Sequence, residues 1–171
     1  MILPFSTHLN GKPTNFVQKI WECLINLEVV NSKIGVYPEK EKEYNKYLNN
    51  LSVFAFGDYK PKLHTVRKDL KERWKAGTKI DFFINVRQKD MFRFAPQLPV
   101  ISTQRVFMTY AYNDIIEISV NGNYINDRKQ FAINDGFDTY EDFFNYFYPI
   151  IRKSEDEVFI GKIIHWTDFR Y

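Results

Sequence analysis

Three segments typical of β-strands follow one another in the middle of this chain, and helical patterns lie only before and after them. The segments span residues 79–86, 100–110 and 115–120, and they are rich in β-branched and aromatic side chains. A doubly wound parallel sheet requires strands and helices in regular alternation. The order of elements therefore predicts an α+β fold, and neither a G-x-G-x-x-G nor a P-loop motif is present.

An amphipathic helix is predicted near the start of the chain. Ile2 to Phe5 has the composition of a short strand, and Thr14 or Asn15 can then cap a helix. The apolar residues that follow recur at helical spacing, so one face of this helix is expected in the core; they are Phe16, Val17, Ile20, Trp21, Leu24 and Leu27.

Two helices and a strand are predicted in the last third of the chain. The segment 128–134 is helical and ends at Gly136. Asp138 is expected to cap the next helix, with Glu141 completing a capping box. That helix should bury Phe143, Phe144, Phe147 and Ile150, and a final strand should span residues 158–166.

Composition sets limits on partners and cofactors. The 24 basic and 21 acidic residues of this 171-residue chain give a net charge of +3, which is too weak for a dense basic DNA-binding face. The single cysteine, Cys23, excludes an internal disulfide, and with three histidines it makes a metal site improbable. We expect no cofactor. No signal peptide or membrane span is expected, so the predicted compartment is the cytoplasm.

The length suits a single domain over residues 1–171. Within it, residues 31–58 read as a charged insertion, and the segment 37–50 could be a solvated helix or a mobile excursion. The sequence leaves the oligomeric state open.

The segment KLHTVR, which begins at Lys62, carries the strongest chemical pattern. In an extended strand, Thr65 and Arg67 face one side, whereas His64 and Val66 face the other. A hydroxyl and a guanidinium on one face, with the Lys62 ammonium in reach, could form an anion or nucleotide site. Alternatively, Thr65 is an ordinary strand residue and the cations are solvated or paired with Asp69 or Glu72.

This segment resembles the K-x-x-T-x-R signature of the ASCH domain, a PUA-like family. The signature is followed in the family by a turn that is similar to WKAGTKI, beginning at Trp74. A later family block is similar to DGFDTYEDF, beginning at Asp135, although the family often has a glutamate at the position of Asp135. The resemblance excludes residues 31–58 and the C-terminal tail. It implies a small mixed or antiparallel β-barrel with flanking helices.

The resemblance also implies a function in RNA or nucleoside chemistry. The leading expectation is a pocket that binds RNA or a modified nucleoside, with His64, Arg67, Arg73 and Trp74 as nucleotide-binding residues. The alternative is a hydrolase, either an N4-acylcytidine amidohydrolase or a ribonuclease. In the amidohydrolase, Thr65 would be the nucleophile, Lys62 would activate it and Asp135 would relay a proton.

Other interpretations remain open for these residues. A phage or mobile-element accessory protein is a further possible identity. His64 could be a partly buried structural histidine, Trp74 could pack in the core, and Asp135 could be a helix C-cap. The terminal segment HWTDFRY, with His165, Trp166 and Arg170, could line a cleft if the last strand lies beside the first.

Overall fold

The computed structural model describes residues 1–26 and 59–171, and these residues form two compact units. The first unit contains the described residues up to Lys62 together with residues 78–99, and the second contains residues 63–77 and 100–171. The predictions for Leu27 and for residues 31–58 lie outside the described residues. The organisation as a single domain stays a prediction.

The described residues contain both helices and strands, which confirms the α+β class. In chain order the elements are β1 (Ile2–Phe5), β2 (His8–Leu9), β3 (Lys12–Pro13), α1 (Phe16–Asn26), β4 (His64–Arg67), β5 (Lys79–Ile84), β6 (Phe92–Arg93), β7 (Leu98–Pro99), β8 (Ser102–Tyr110), β9 (Ile116–Val120), β10 (Asn123–Tyr124), α2 (Arg128–Asn134), α3 (Tyr140–Arg152) and β11 (Val158–His165).

The first unit contains α1 and a small mixed sheet. Strand β1 runs parallel to β5, and both β6 and β7 pair with β5 in the antiparallel sense. The predicted apolar face of α1 is buried from Phe16 to Leu24. Its Trp21 Nε1 donates a hydrogen bond of 3.0 Å to the Phe94 carbonyl oxygen, which satisfies the polar atom of a large buried ring.

The second unit contains a five-stranded antiparallel sheet in the order β10-β9-β8-β11-β4. Asn121 and Gly122 both have positive φ in the turn between β9 and β10, as the Asn-Gly pair predicts. Phe147 of α3 packs against Phe159 of β11 with ring centroids 5.3 Å apart. The helix therefore covers the sheet face that carries Phe159, whereas alternate residues such as Ile160 project to the opposite face.

The start of α3 differs by one residue from the prediction. The N-cap is Thr139, not Asp138, because the Thr139 backbone is extended and its hydroxyl accepts a hydrogen bond from the Asp142 N–H. The Thr139 hydroxyl also donates a hydrogen bond of 2.7 Å to Asp142 Oδ2, so the side chains that meet at this helix start are those of Thr139 and Asp142, not Asp138 and Glu141. The buried apolar residues of α3 are Phe143, Phe147 and Ile151, while Phe144 and Ile150 are only half-buried.

The predicted barrel is not confirmed. Over residues 1–26 and 59–171, the strands form separate hydrogen-bonded sheets and no closed ring of strands is found. The final strand pairs with β8 and β4, whereas β1 pairs with β5. In the same ranges, no helix is both long and apolar enough to cross a bilayer.

Gly161 in β11 is a position where the sheet tolerates no side chain. A Cβ atom there would lie 2.6 Å from the Arg67 carbonyl oxygen and 2.6 Å from the Phe159 ring. We predict that Gly161→Ala lowers the free energy of unfolding by about 1–3 kcal/mol, because a rigid backbone atom would have to move. Urea denaturation measures this value. The adjacent variant Ile160→Ala is the control, since that side chain is 59% exposed; an equal loss in both variants would contradict the prediction.

Candidate functional site

The two sequence blocks that carry the family resemblance meet in the second unit. The Val66 N–H, which lies between Thr65 and Arg67 in β4, donates a hydrogen bond of 3.1 Å to Asp135 Oδ1. The Leu63 N–H donates to the Asn134 carbonyl oxygen at 2.9 Å. The C-terminal end of α2 is therefore bonded directly to β4. Below, "the Asp135 cluster" means His64, Thr65, Arg67 and Asp135.

Local sequence explains how the Asp135 carboxylate reaches β4. Asp135 is the C-cap of α2, and Gly136 follows it with a φ of 90°. The Gly136 and Phe137 N–H groups donate to the Ile133 and Ala132 carbonyls, the Schellman arrangement that ends many helices. A negative charge at a helix C-terminus is unfavourable. The charge of Asp135 is instead compensated from β4.

Arg67 provides part of that compensation. Burial lowers the pKa of the Arg67 guanidinium from its ordinary value, and the negative charge of Asp135 opposes this effect, as does Tyr146 more weakly. Thr65 is 2% exposed and Asp135 is 4% exposed. The cluster therefore holds a carboxylate and a hydroxyl out of bulk water beside a half-buried cation, as binding and catalytic sites commonly do.

A chain of polar groups extends from Asp135 to the last residue of the sequence. His64 Nδ1 lies 3.7 Å from Asp135 Oδ1, and His64 Nε2 lies 2.8 Å from the Tyr171 hydroxyl. The Asn134 amide nitrogen donates to the same hydroxyl at 3.1 Å. Burial raises the pKa of the Tyr171 phenol; the Asn134 hydrogen bond opposes that rise, and the charge of Asp135 adds to it. The phenol is thus neutral at physiological pH.

Aromatic rings surround the Tyr171 side chain. Its ring centroid lies 5.0 Å from that of Phe131, 4.9 Å from that of Phe169 and 5.4 Å from that of His64. Gln104 holds the Tyr171 backbone, accepting from its N–H at 3.1 Å and donating to its carbonyl oxygen at 3.2 Å. These contacts hold the Tyr171 ring in place, with its hydroxyl bonded to His64 and Asn134.

Sequence reasoning missed Asn134 and Tyr171 as parts of this site. An aromatic residue six positions beyond a strand gives no periodic signal, and only the pairing of β11 with β4 brings it to His64. A cleft lined by the terminal segment required the last strand to lie beside the first, but β11 pairs with β8 and β4. His165 and Trp166 are buried in the second unit, which fits core packing.

His165 is a second buried histidine beside His64, with ring centroids 5.3 Å apart. It is fully buried, and among the described residues neither of its ring nitrogens has a hydrogen-bond partner. Burial, together with the smaller effects of the nearby His64 and Arg170, lowers the pKa of His165 to about 3. His165 is therefore neutral at physiological pH.

Lys62, Arg73 and Trp74 lie outside the Asp135 cluster. Lys62 belongs to the first unit, where it is buried and its Nζ lies 4.7 Å from the centroid of the Phe16 ring. Trp74 is also buried, which fits the packing alternative, and Arg73 is exposed. The structure thus brings His64, Arg67 and the Val66 backbone to Asp135 in the second unit, with Thr65 on the same strand, and assigns Lys62 to the first unit.

A buried carboxylate shapes the loop that carries Arg73 and Trp74. Asp69 accepts hydrogen bonds from the backbone N–H groups of both residues, at 3.0 and 2.9 Å. Burial acts to raise the pKa of Asp69, but these two hydrogen bonds and the Lys162 ammonium at 3.8 Å outweigh it, so the pKa lies below its ordinary value. The charged loop is therefore fixed to β11.

The chain matches no family model, no curated protein and no solved structure. The ASCH resemblance therefore depends on the two motif blocks alone. Nowhere in the two described ranges do three or more His, Cys, Asp and Glu side chains form a group that could hold a metal ion.

The Tyr171 hydroxyl should contribute measurably to stability. We predict that Tyr171→Phe lowers the free energy of unfolding by about 1–3 kcal/mol, because His64 Nε2 would lose its partner in a buried site. Chemical denaturation provides the measurement. Tyr112→Phe is the matched control, since that ring is 88% exposed and its hydroxyl should be dispensable. Equal stability of Tyr171→Phe and the wild type would refute the structural role of the hydroxyl.

The lowered pKa of His165 predicts a loss of stability in mild acid. Below the ordinary histidine pKa of 6.5 the unfolded chain binds a proton that the folded chain takes up only near pH 3, so stability falls as the pH falls through this window. His165→Phe should remove a dependence of about 1.4 kcal/mol per pH unit. Unfolding free energies at pH 4.5, 5.5, 6.5 and 7.5 test this, and parallel pH profiles for the variant and the wild type would contradict it.

Proposed function

We propose that this protein binds RNA or a modified nucleoside at the Asp135 cluster, within an ASCH/PUA-like fold. The proposal is supported above all by the hydrogen bond between the Val66 N–H and Asp135 Oδ1. This bond joins two sequence blocks that lie 69 residues apart and that separately resemble the same family.

The chemistry of the cluster suits a nucleotide. A guanidinium such as that of Arg67 forms paired hydrogen bonds with a phosphate, and a carboxylate such as that of Asp135 accepts hydrogen bonds from amino groups of a base. Sequence-specific RNA recognition commonly stacks an unpaired base on aromatic side chains. Phe169 and Tyr171 are half-buried beside His64, and their rings are the ones available for such stacking.

The test is a binding measurement on wild type and matched variants. Isothermal titration with cytidine, N4-acetylcytidine and short single-stranded RNAs should detect binding that Asp135→Asn and Arg67→Gln weaken at least about tenfold, the equivalent of 1.4 kcal/mol. Asp156→Asn and Arg87→Gln are controls of the same chemistry at exposed positions. Circular dichroism verifies that the variants fold. Unchanged affinity in both folded cluster variants would exclude this site.

A hydrolase is the second candidate, since Thr65 precedes the residue whose N–H binds Asp135. Thr65 would attack the acyl carbon of an N4-acylated cytidine, and its hydroxyl proton would pass through Asp135 to N4 as the C–N4 bond breaks and cytidine leaves. Water would then hydrolyse the acyl-threonine. We predict that wild type releases cytidine from N4-acetylcytidine and that Thr65→Val does not. Liquid chromatography of the products decides the matter. If wild type binds the nucleoside without releasing cytidine, binding is the function and hydrolysis is excluded.

A further inference from the structure

One face of the five-stranded sheet exposes aromatic and apolar side chains. This is the face opposite Phe159 and α3. The strand register places Ile160 beside Phe107, Phe107 beside Ser119, and Ser119 beside Tyr124, in a row across four strands. Ile160 is 59%, Phe107 is 42% and Tyr124 is 74% exposed. Below, "the outer row" means these four residues.

The outer row has the composition of a stacking platform. Phe107 lies in the middle of the sheet and Tyr124 lies on the neighbouring hairpin. Both present ring surface to solvent. Antiparallel sheets that carry such aromatics bind unpaired bases by stacking, and each stacked base contributes about 1–3 kcal/mol. Two rings on one face therefore suit two bases of one strand.

A basic loop adjoins the outer row. Residues 68–77 expose four cations, Lys68, Lys71, Arg73 and Lys75. The loop is bonded to the same sheet face, because Lys162 lies 3.3 Å from a Glu72 oxygen and Arg105 lies 4.0 Å from the other. Lys162 pairs with Arg105 across β11 and β8, and Ile160 pairs with Phe107. The two pairs are two residues apart along the strands, a distance of about 7 Å.

The charges on this side match a polyanion. Arg105 is exposed and adds a fifth cation, and the exposed acidic residues on the loop and neighbouring strands are Glu72 and Glu117. A negatively charged backbone can therefore follow the basic loop while its bases lie on the outer row. This arrangement of a cationic edge and aromatic platform is typical of single-strand binding.

Polar groups beside the rings favour RNA. A shallow depression of about 150 Å³ lies between Phe107 and Tyr124, and its wall includes Thr109, Glu117 and Ser119. Their hydroxyl and carboxylate groups can bond the ribose 2′-hydroxyl, the group by which proteins distinguish RNA from DNA.

We infer that this sheet face binds single-stranded RNA, with bases stacked on Phe107 and Tyr124 and phosphates held by the 68–77 loop and Arg105. The choice of RNA as the class of partner rests on the proposed function. The residues that carry it are separate from the Asp135 cluster, so the two sites can be tested independently.

Fluorescence anisotropy with labelled twelve-nucleotide RNAs tests the inference on the full chain. Phe107→Ala and Tyr124→Ala should each weaken binding about 5- to 150-fold, as loss of one stacked base predicts. Tyr112→Ala is the matched control, because this exposed tyrosine lies in the turn between β8 and β9. It should bind within about twofold of wild type. Removing Lys71 and Arg73 together should reduce the salt dependence of binding.

Other arms of the experiment can overturn the inference. RNA affinity that is unchanged in both aromatic variants excludes the platform, as does equal affinity for a duplex of the same sequence. Equal affinity for the corresponding single-stranded DNA excludes the ribose contacts and hence RNA as the selected partner. If the wild type self-associates in sedimentation, and Phe107→Ala abolishes that association without affecting RNA, the face is a protein interface instead.

The two proposals fail in different ways. Loss of nucleoside binding in Asp135→Asn, with oligonucleotide binding retained, assigns RNA to the outer face and nucleosides to the cluster. If no ligand responds to Asp135→Asn while Phe107→Ala still weakens RNA binding, only the proposed function of the cluster is lost.

Discussion

The candidate site depends on the hydrogen bond that the Val66 N–H donates to the Asp135 carboxylate. It joins the end of a short helix to a four-residue strand, and it keeps a negative charge beside the half-buried Arg67. Replacing a buried ionic group by apolar residues commonly costs little stability. Removing only one of the two charges is expected to cost more, because the remaining charge would be left without compensation.

Local sequence patterns predicted the helices and strands. The pairing of the strands and the contacts of the site residues are evident only in the tertiary structure. Helical spacing located the apolar face of α1, and Asn121-Gly122 located the β9–β10 turn. The cap of α3 moved to Thr139 because two adjacent residues could both fill that role. The contact of Asp135 with β4 was expected only from the motif resemblance, and Tyr171 gave no signal before β11 was paired with β4.

The two faces of β8 also show what a sequence pattern leaves undetermined. Alternation in this strand separates Val106 and Met108 from Arg105 and Phe107, but it cannot show which set the helices cover. The structure assigns Val106 and Met108 to the core and leaves Phe107 exposed beside Ile160 and the basic loop. The second unit thus combines a buried polar cluster suited to one nucleotide with an open surface suited to a strand.

Amide chemical shifts test the role of the Asp135 cluster most directly. In a ¹⁵N-labelled sample titrated with nucleosides and short RNA, a ligand that engages the Asp135 carboxylate must alter the hydrogen bond from the Val66 N–H. The account predicts a saturable shift of the Val66 amide signal and of the Arg67 side-chain signal at the same ligand concentration. Saturated binding that leaves both signals in place would contradict it.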